Sequence, residues 1–212
     1  MRELEHLDCF GEETRKKIVE KYDIKLIIYA KLLNGQIKKG DARKRIRDTY
    51  YEFQCTLKSN ENVIKAITCG SGAGKHLLEL AGIDKPAIFN PLRNGNGVIS
   101  GDCASTNNTS KVNGHDKVAK ELYNAINWLI CSWNTVPYGK LLDIKEGLEK
   151  YPNYEPHMWK IEYVNNIIKK DIKGRTITQM INYFRDKDNN IKEFSFEYLN
   201  KKLQDKSIQS YF

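Results

Sequence analysis

Tyr51-Glu52-Phe53-Gln54-Cys55-Thr56-Leu57 alternates apolar and polar side chains without a break. Successive side chains of a strand point to opposite faces. Tyr51, Phe53, Cys55 and Leu57 therefore share one face, and Glu52, Gln54 and Thr56 share the other. The stretch predicts a half-buried strand. Ser59-Asn60-Glu61-Asn62 reads as a turn, and Val63 to Cys69 as a second strand. Together they predict an antiparallel β-hairpin.

Downstream of the hairpin stands a glycine run, Gly70-Ser71-Gly72-Ala73-Gly74. A short helix from Lys75 to Ala81 is expected after it, closed by Gly82. Upstream, residues 12–33 read as helix in one or two pieces, with Ile18, Val19 and Tyr22 at helical spacing. Leu26-Ile27-Ile28-Tyr29 is apolar on all sides, so it is expected to be buried, as helix or strand. Residues 93–115 are rich in Asn, Gly, Ser and Thr and nearly devoid of apolar side chains. They predict a flexible loop and the domain boundary.

Beyond that loop the period becomes helical. Asp116 is placed to cap a helix from Lys117 to Trp133. Its apolar stripe is Val118, Leu122, Ala125, Ile126, Leu129 and Trp133. Further helices fit residues 159–170, a segment from Thr176 or Thr178, and residues 195–203. The predicted class is α+β: a small antiparallel hairpin or sheet with helices in the N-terminal half, then a mostly helical C-terminal half. The expected division is 1–92, 93–115, 116–204 and a C-terminal peptide, 205–212.

Of 212 residues, 40% are hydrophobic and 29% charged, the balance of a folded chain. No apolar run approaches the roughly 18 residues a membrane span needs. Met1-Arg2-Glu3-Leu4-Glu5-His6 is charged and lacks the apolar core of a secretory leader. An intracellular place, cytoplasmic or nuclear, is expected, with the five scattered cysteines reduced.

Net charge is +8, which favours polyanionic partners. The cations crowd between residues 38 and 47, as Lys38, Lys39, Arg43, Lys44, Arg45 and Arg47. On a helix Arg43 and Arg47 would share a face. Lys38, Lys39, Arg43, Lys44 and Arg47 are the expected phosphate contacts, with DNA as the partner.

Cys69-Gly70-Ser71-Gly72-Ala73-Gly74-Lys75-His76 sits between a predicted strand and a predicted helix, where phosphate-binding loops belong. It departs from the nucleotide triphosphatase pattern at both ends. Cys69 stands for the first glycine, and His76 for the serine or threonine that would hold magnesium. A generic anion site from Gly72, Gly74, Lys75 and His76 is the expectation that survives. Cys55, Cys69, His76, Cys103 and His115 lack the close pairing of structural zinc ligands, and Cys69 falls opposite Tyr51 to Phe53 rather than Cys55. Asp143, Lys145, Glu146, Asp171 and Lys173 have the residue types of a metal-dependent nuclease but read as helix surface. No metal and no cofactor are expected. Trp128, Trp133 and Trp159 read as core rather than as stacking platforms.

The tail Asp205-Lys206-Ser207-Ile208-Gln209-Ser210-Tyr211-Phe212 resembles the peptide by which replication and repair proteins bind sliding clamps of the PCNA type. Ile208, Tyr211 and Phe212 match its aliphatic and twin-aromatic positions, while Asp205 stands where that peptide carries glutamine. The resemblance implies a helical turn whose three apolar prongs plug a partner's pocket. The function expected is a DNA-associated binding protein that docks on a sliding clamp, or another replication or repair partner, through this peptide. Two alternatives stand beside it. One is an enzyme for a phosphate or nucleotide ligand at Gly70–His76. The other is a non-enzymatic protein inhibitor or adaptor encoded by a mobile element or virus.

Overall fold

The computed structural model describes residues 4–84, 87–93, 115–133 and 139–212. The chain is α+β, with three antiparallel strands and seven helices among the described residues. It divides into two compact units between Pro91 and Leu92, at the margin of the polar segment 93–115. Most of that segment lies outside the described residues.

The first unit holds α1 (Glu12–Lys21), β1 (Tyr22–Lys31), β2 (Thr49–Leu57), β3 (Asn60–Gly70) and α2 (Ser71–Ala81). The sheet order is β1-β2-β3. The hairpin forms as expected, although its turn is the two residues Lys58 and Ser59 rather than 59–62. The register sets Tyr51 opposite Cys69, Phe53 opposite Ile67 and Cys55 opposite Lys65. Each margin of the sheet is paired over part of its length. On β3, Leu7 N–H donates to Ala66 and Ala66 N–H to Glu5, while Asp41 N–H donates to Thr68. On β1, Lys31 N–H donates to Phe89 and Phe89 N–H to Tyr29.

The apolar face of the hairpin meets the two helices. Tyr51, Phe53, Cys55, Ile67 and Cys69 pack with Ile18 of α1 and with Leu77 and Leu78 of α2. The helix α2 starts at Ser71, four residues before the expected Lys75. Close approach explains the glycine inside it. A Cβ on Gly74 would stand 2.6 Å from Cγ of Tyr51, well inside van der Waals contact. Tyr51 cannot swing away, because its ring stacks on Tyr29 at 4.2 Å between centroids. Gly74→Ala is expected to destabilise the protein by about 1–3 kcal/mol, the usual cost of overpacking. A urea unfolding midpoint equal to that of the wild type would contradict this packing.

The second unit holds α3 (Lys117–Trp133), α4 (Lys140–Lys150), α5 (Met158–Ile168), α6 (Ile177–Arg185) and α7 (Glu197–Gln204). Each of the other four helices packs against α3. The stripe Val118, Leu122, Ala125, Ile126 and Leu129 is buried as its spacing predicts. Trp128 is buried too, against Phe184 and Phe194. Two helix starts show how the sequence punctuates this bundle. Thr176 and Gln179 form a reciprocal capping box at α6. The start of α7 has no side-chain cap of its own. Instead the buried carboxylate of Glu121 accepts the Leu199 N–H at 3.0 Å. A carboxylate there satisfies an orphan donor and opposes the positive end of the helix. Burial raises the Glu121 carboxyl above its ordinary value, and the α7 amides counter it. Among the described residues no helix is long and apolar enough to cross a membrane.

Candidate anion-binding site

The basic stretch 38–47 is a looped-back segment rather than a helix. Lys39 and Arg45 form an antiparallel bridge. Gly40 N–H donates to Lys44, and Ile46 N–H to Lys38. A Cβ on Gly40 would lie 2.7 Å from the Lys44 carbonyl, so only glycine allows the two limbs to come this close. Asp41 moors the loop to β3: its side chain accepts the Thr68 N–H at 2.6 Å and contacts His6 at 2.8 Å.

This geometry sorts the expected phosphate contacts. Lys38 leaves the set. It is 3% exposed and donates at 2.5 Å to Glu52, itself 1% exposed. Its ammonium also lies 4.4 Å from the centre of the Tyr50 ring. Arg43 is exposed, but its Nε and Nη2 both donate to Asp8. The Phe10 N–H and that guanidinium hold the Asp8 carboxyl below its ordinary range. Lys39, Lys44, Arg45 and Arg47 are exposed and have no acidic partner among the described residues.

The glycine run contributes differently from its sequence reading. Gly74 serves packing against Tyr51. His76 accepts from Arg15 at 2.8 Å, and Arg15 in turn donates to the Cys9 carbonyl, so the imidazole ties α2 to α1. That leaves Gly72 and Lys75, both exposed. The N-terminus of α2 has no side-chain cap and no acidic residue in its first turn. Its first amides therefore lack intrahelical partners. Gly72 has no positive φ, and a Cβ there would meet nothing within 4 Å. Neither backbone conformation nor packing calls for glycine at this position.

Two sites read separately in the sequence meet here. Ile46 is buried and lies against Gly70, while Thr49 and Ser71 share a hydroxyl hydrogen bond of 2.7 Å. The limb carrying Arg45 and Arg47 thus runs beside the first turn of α2. The result is a cationic edge of Lys39, Lys44, Arg45, Arg47 and Lys75 around an uncapped helix end, which is favourable for an anion.

The other expectations resolve as follows. Cys55 is fully buried, and burial pushes its thiol up to about 12. Cys69 is raised by its hydrogen bond with Cys9 and by burial. Both behave as buried packing thiols rather than as ready metal ligands. Cys103 lies outside the described residues. Among the described residues no three His, Cys, Asp or Glu side chains gather to hold a metal. Asp171 binds Arg175 and the Trp133 indole, and Lys145 binds Glu149.

The C-terminal peptide does not form the helical turn implied by its resemblance. After α7 the chain turns at 205–207, with Ser207 at a φ of 56°, and 208–212 has no helical structure. The buried Asn165 amide donates to the Gln209 carbonyl and accepts the Tyr211 N–H, both at 2.8 Å. Ile177 N–H donates to the Tyr211 carbonyl. Phe212 is 6% exposed, with its ring 6.2 Å from that of Phe196. Ile208 and Tyr211 are half-buried. In this conformation the three side chains pack on their own unit.

The family model described as "Uncharacterised conserved protein UCP028583" matches residues 7–211. The chain belongs to this family. No curated protein and no solved structure matches the chain. The family match takes in the basic loop, the start of α2 and the tail through Tyr211, so the cationic edge lies wholly within it.

Proposed function

We propose that the protein is a DNA-associated binding protein whose first unit grips backbone phosphates. The loop cations Lys39, Lys44, Arg45 and Arg47 would act together with Lys75 and the first amides of α2. One observation carries the reading: exposed cations without acidic partners flank a helix end left open by Gly72. Sliding-clamp docking by the tail belongs to this reading only with residues 208–212 released from Asn165 and Phe196. A phosphate-ligand enzyme at the same helix end would lack His76 and Gly74, which are engaged elsewhere.

The test is anisotropy with a labelled DNA duplex over a range of salt. Five phosphate contacts, from the four loop cations and Lys75, predict a slope of log K on log salt of roughly −4 to −5. Each loop cation changed to alanine is expected to reduce that slope by about 1, uniformly across sequences. A fourfold alanine variant with unchanged affinity and slope would refute the proposal. Gly72→Ala separates binding from folding. It is expected to stabilise α2 by about 0.5–1 kcal/mol, because alanine is the better helix former. It should nevertheless weaken duplex binding, because its methyl group crowds the amides. A rise in melting temperature with undiminished binding would remove the helix end from the site.

A further inference from the structure

Of the three tryptophans only Trp128 is fully buried, and Trp133 spends its N–H on Asp171. Trp159, at the start of α5, is 45% exposed. Sequence spacing placed it in the core, so its position on the surface needs a reason. It is not alone. Tyr151 and Tyr154, between α4 and α5, are 52% and 71% exposed, with ring centres 6.3 Å apart at nearly right angles.

Lysines attend two of these rings, Trp159 and Tyr151. The Lys140 ammonium stands 4.6 Å from the centre of the Trp159 ring and 5.3 Å from that of Tyr163. Lys160 stands 5.8 Å from Trp159, and Lys150 stands 5.3 Å from Tyr151. Two nearby acids are turned elsewhere. Glu149 binds Lys145 and Tyr123, and Glu155 binds Lys202. Lys140, Lys150 and Lys160 have no ion-pair partner among the described residues. Exposed rings interleaved with unpaired lysines are what an unpaired strand requires: flat faces for bases and charge for phosphates. A duplex keeps its base faces stacked inside and offers phosphates and groove edges but no free ring face.

We propose that the α4–α5 face of the second unit binds single-stranded nucleic acid. Bases stack on Trp159, Tyr151 and Tyr154, and Lys140, Lys150 and Lys160 meet the backbone. This goes beyond the phosphate-binding reading of the first unit: it adds a single-strand site on a separate surface. The lysine over Trp159 is displaced toward a phosphate as a base takes its place on the ring.

The test uses the full chain with labelled oligothymidylate, oligouridylate, a duplex of equal length, and inorganic polyphosphate. Wild-type tryptophan fluorescence is expected to fall on adding either oligonucleotide and to hold steady with duplex or polyphosphate. Trp159→Ala should lose the quenching and bind single strands roughly 5- to 150-fold more weakly, the worth of one stacked base. Its duplex affinity should stay at the wild-type value. Trp159→Phe, which keeps a ring, should retain most of the single-strand affinity. Alanine substitution of the loop cations should weaken duplex binding while leaving the quenching by oligonucleotides intact. The proposal is overturned if Trp159→Ala binds single strands like the wild type. It is equally overturned if polyphosphate quenches as oligonucleotides do. Wild-type binding to duplex without quenching by oligonucleotides sinks this face and spares the loop. Loss of single-strand binding in Trp159→Ala, with the loop variant unaffected, does the reverse.

Discussion

Lys38→Ala is expected to destabilise the protein by roughly 3–5 kcal/mol, enough to unfold a marginally stable chain at physiological temperature. The reason lies in what remains. Lys38 and Glu52 are both nearly inaccessible, and the ammonium donates to only one carboxylate oxygen. The other oxygen, Oε2, has no hydrogen-bond partner. Without the lysine, Glu52 is a buried carboxylate with no counter-charge. Replacing both members by apolar side chains removes the charge altogether, so Lys38→Met with Glu52→Leu is expected to recover most of the loss. Urea unfolding of the two variants decides the matter. A Lys38→Ala midpoint close to that of the wild type would mean that the pair is hydrated rather than buried. The same measurement bears on function, since a lysine held in this way contributes nothing to a phosphate surface.

Removal of residues 208–212 should be comparably severe. Phe212 fills a site against Phe196, and loss of a buried phenylalanine costs about 3–5 kcal/mol. Truncation also strips both partners from the Asn165 amide, which is 1% exposed. Each orphaned buried polar atom adds about 1–3 kcal/mol. These losses share one site and will not sum, so the truncated protein is expected to lose roughly 3–5 kcal/mol in total. Phe212→Ala and Asn165→Ala should each reproduce part of it. Thermal melting and hydrogen exchange at α5 and α6 are the readouts. An unaltered melting temperature after truncation would show that the peptide is held loosely, and would restore it as a ready hook for a partner.

The hairpin and the α3 stripe were legible because their apolar side chains recur at period 2 and period 3.6, although Glu52 on the other face of the hairpin and Asn127 and Trp128 outside the α3 stripe are buried as well. β1 was ambiguous for a physical reason. Its register slips between Leu26 and Ile28. The bulge breaks the alternation at the point where the residues are most apolar. The start of α2 was hidden because glycines read as loop, whereas Gly74 is there to admit Tyr51. α4 follows Gly139 without a capping side chain, so no start signal announced it, although Leu141, Ile144 and Leu148 recur at helical spacing.

At the candidate site, residue type was visible and availability was not. The partners that remove Lys38 and Arg43 lie 14 and 35 residues away. The tail shows the same limit. Its i, i+3, i+4 spacing fits a helical turn, yet Asn165, 46 residues upstream of Tyr211, imposes a main-chain-like pairing instead. Trp159 reverses the error, since helical spacing placed in the interior a ring that the fold leaves outside.

The partly paired margins of the sheet have a consequence for the protein in a crowded solution. A bare strand margin is a template on which a second molecule can lay its own backbone, and repetition of that step builds fibrils. Here the stretches around Leu7, Asp41 and Phe89 already use hydrogen-bonding groups that such growth would recruit. Over those stretches the sheet, although its sequence is strongly β-forming, is shielded from seeding assembly with its own kind.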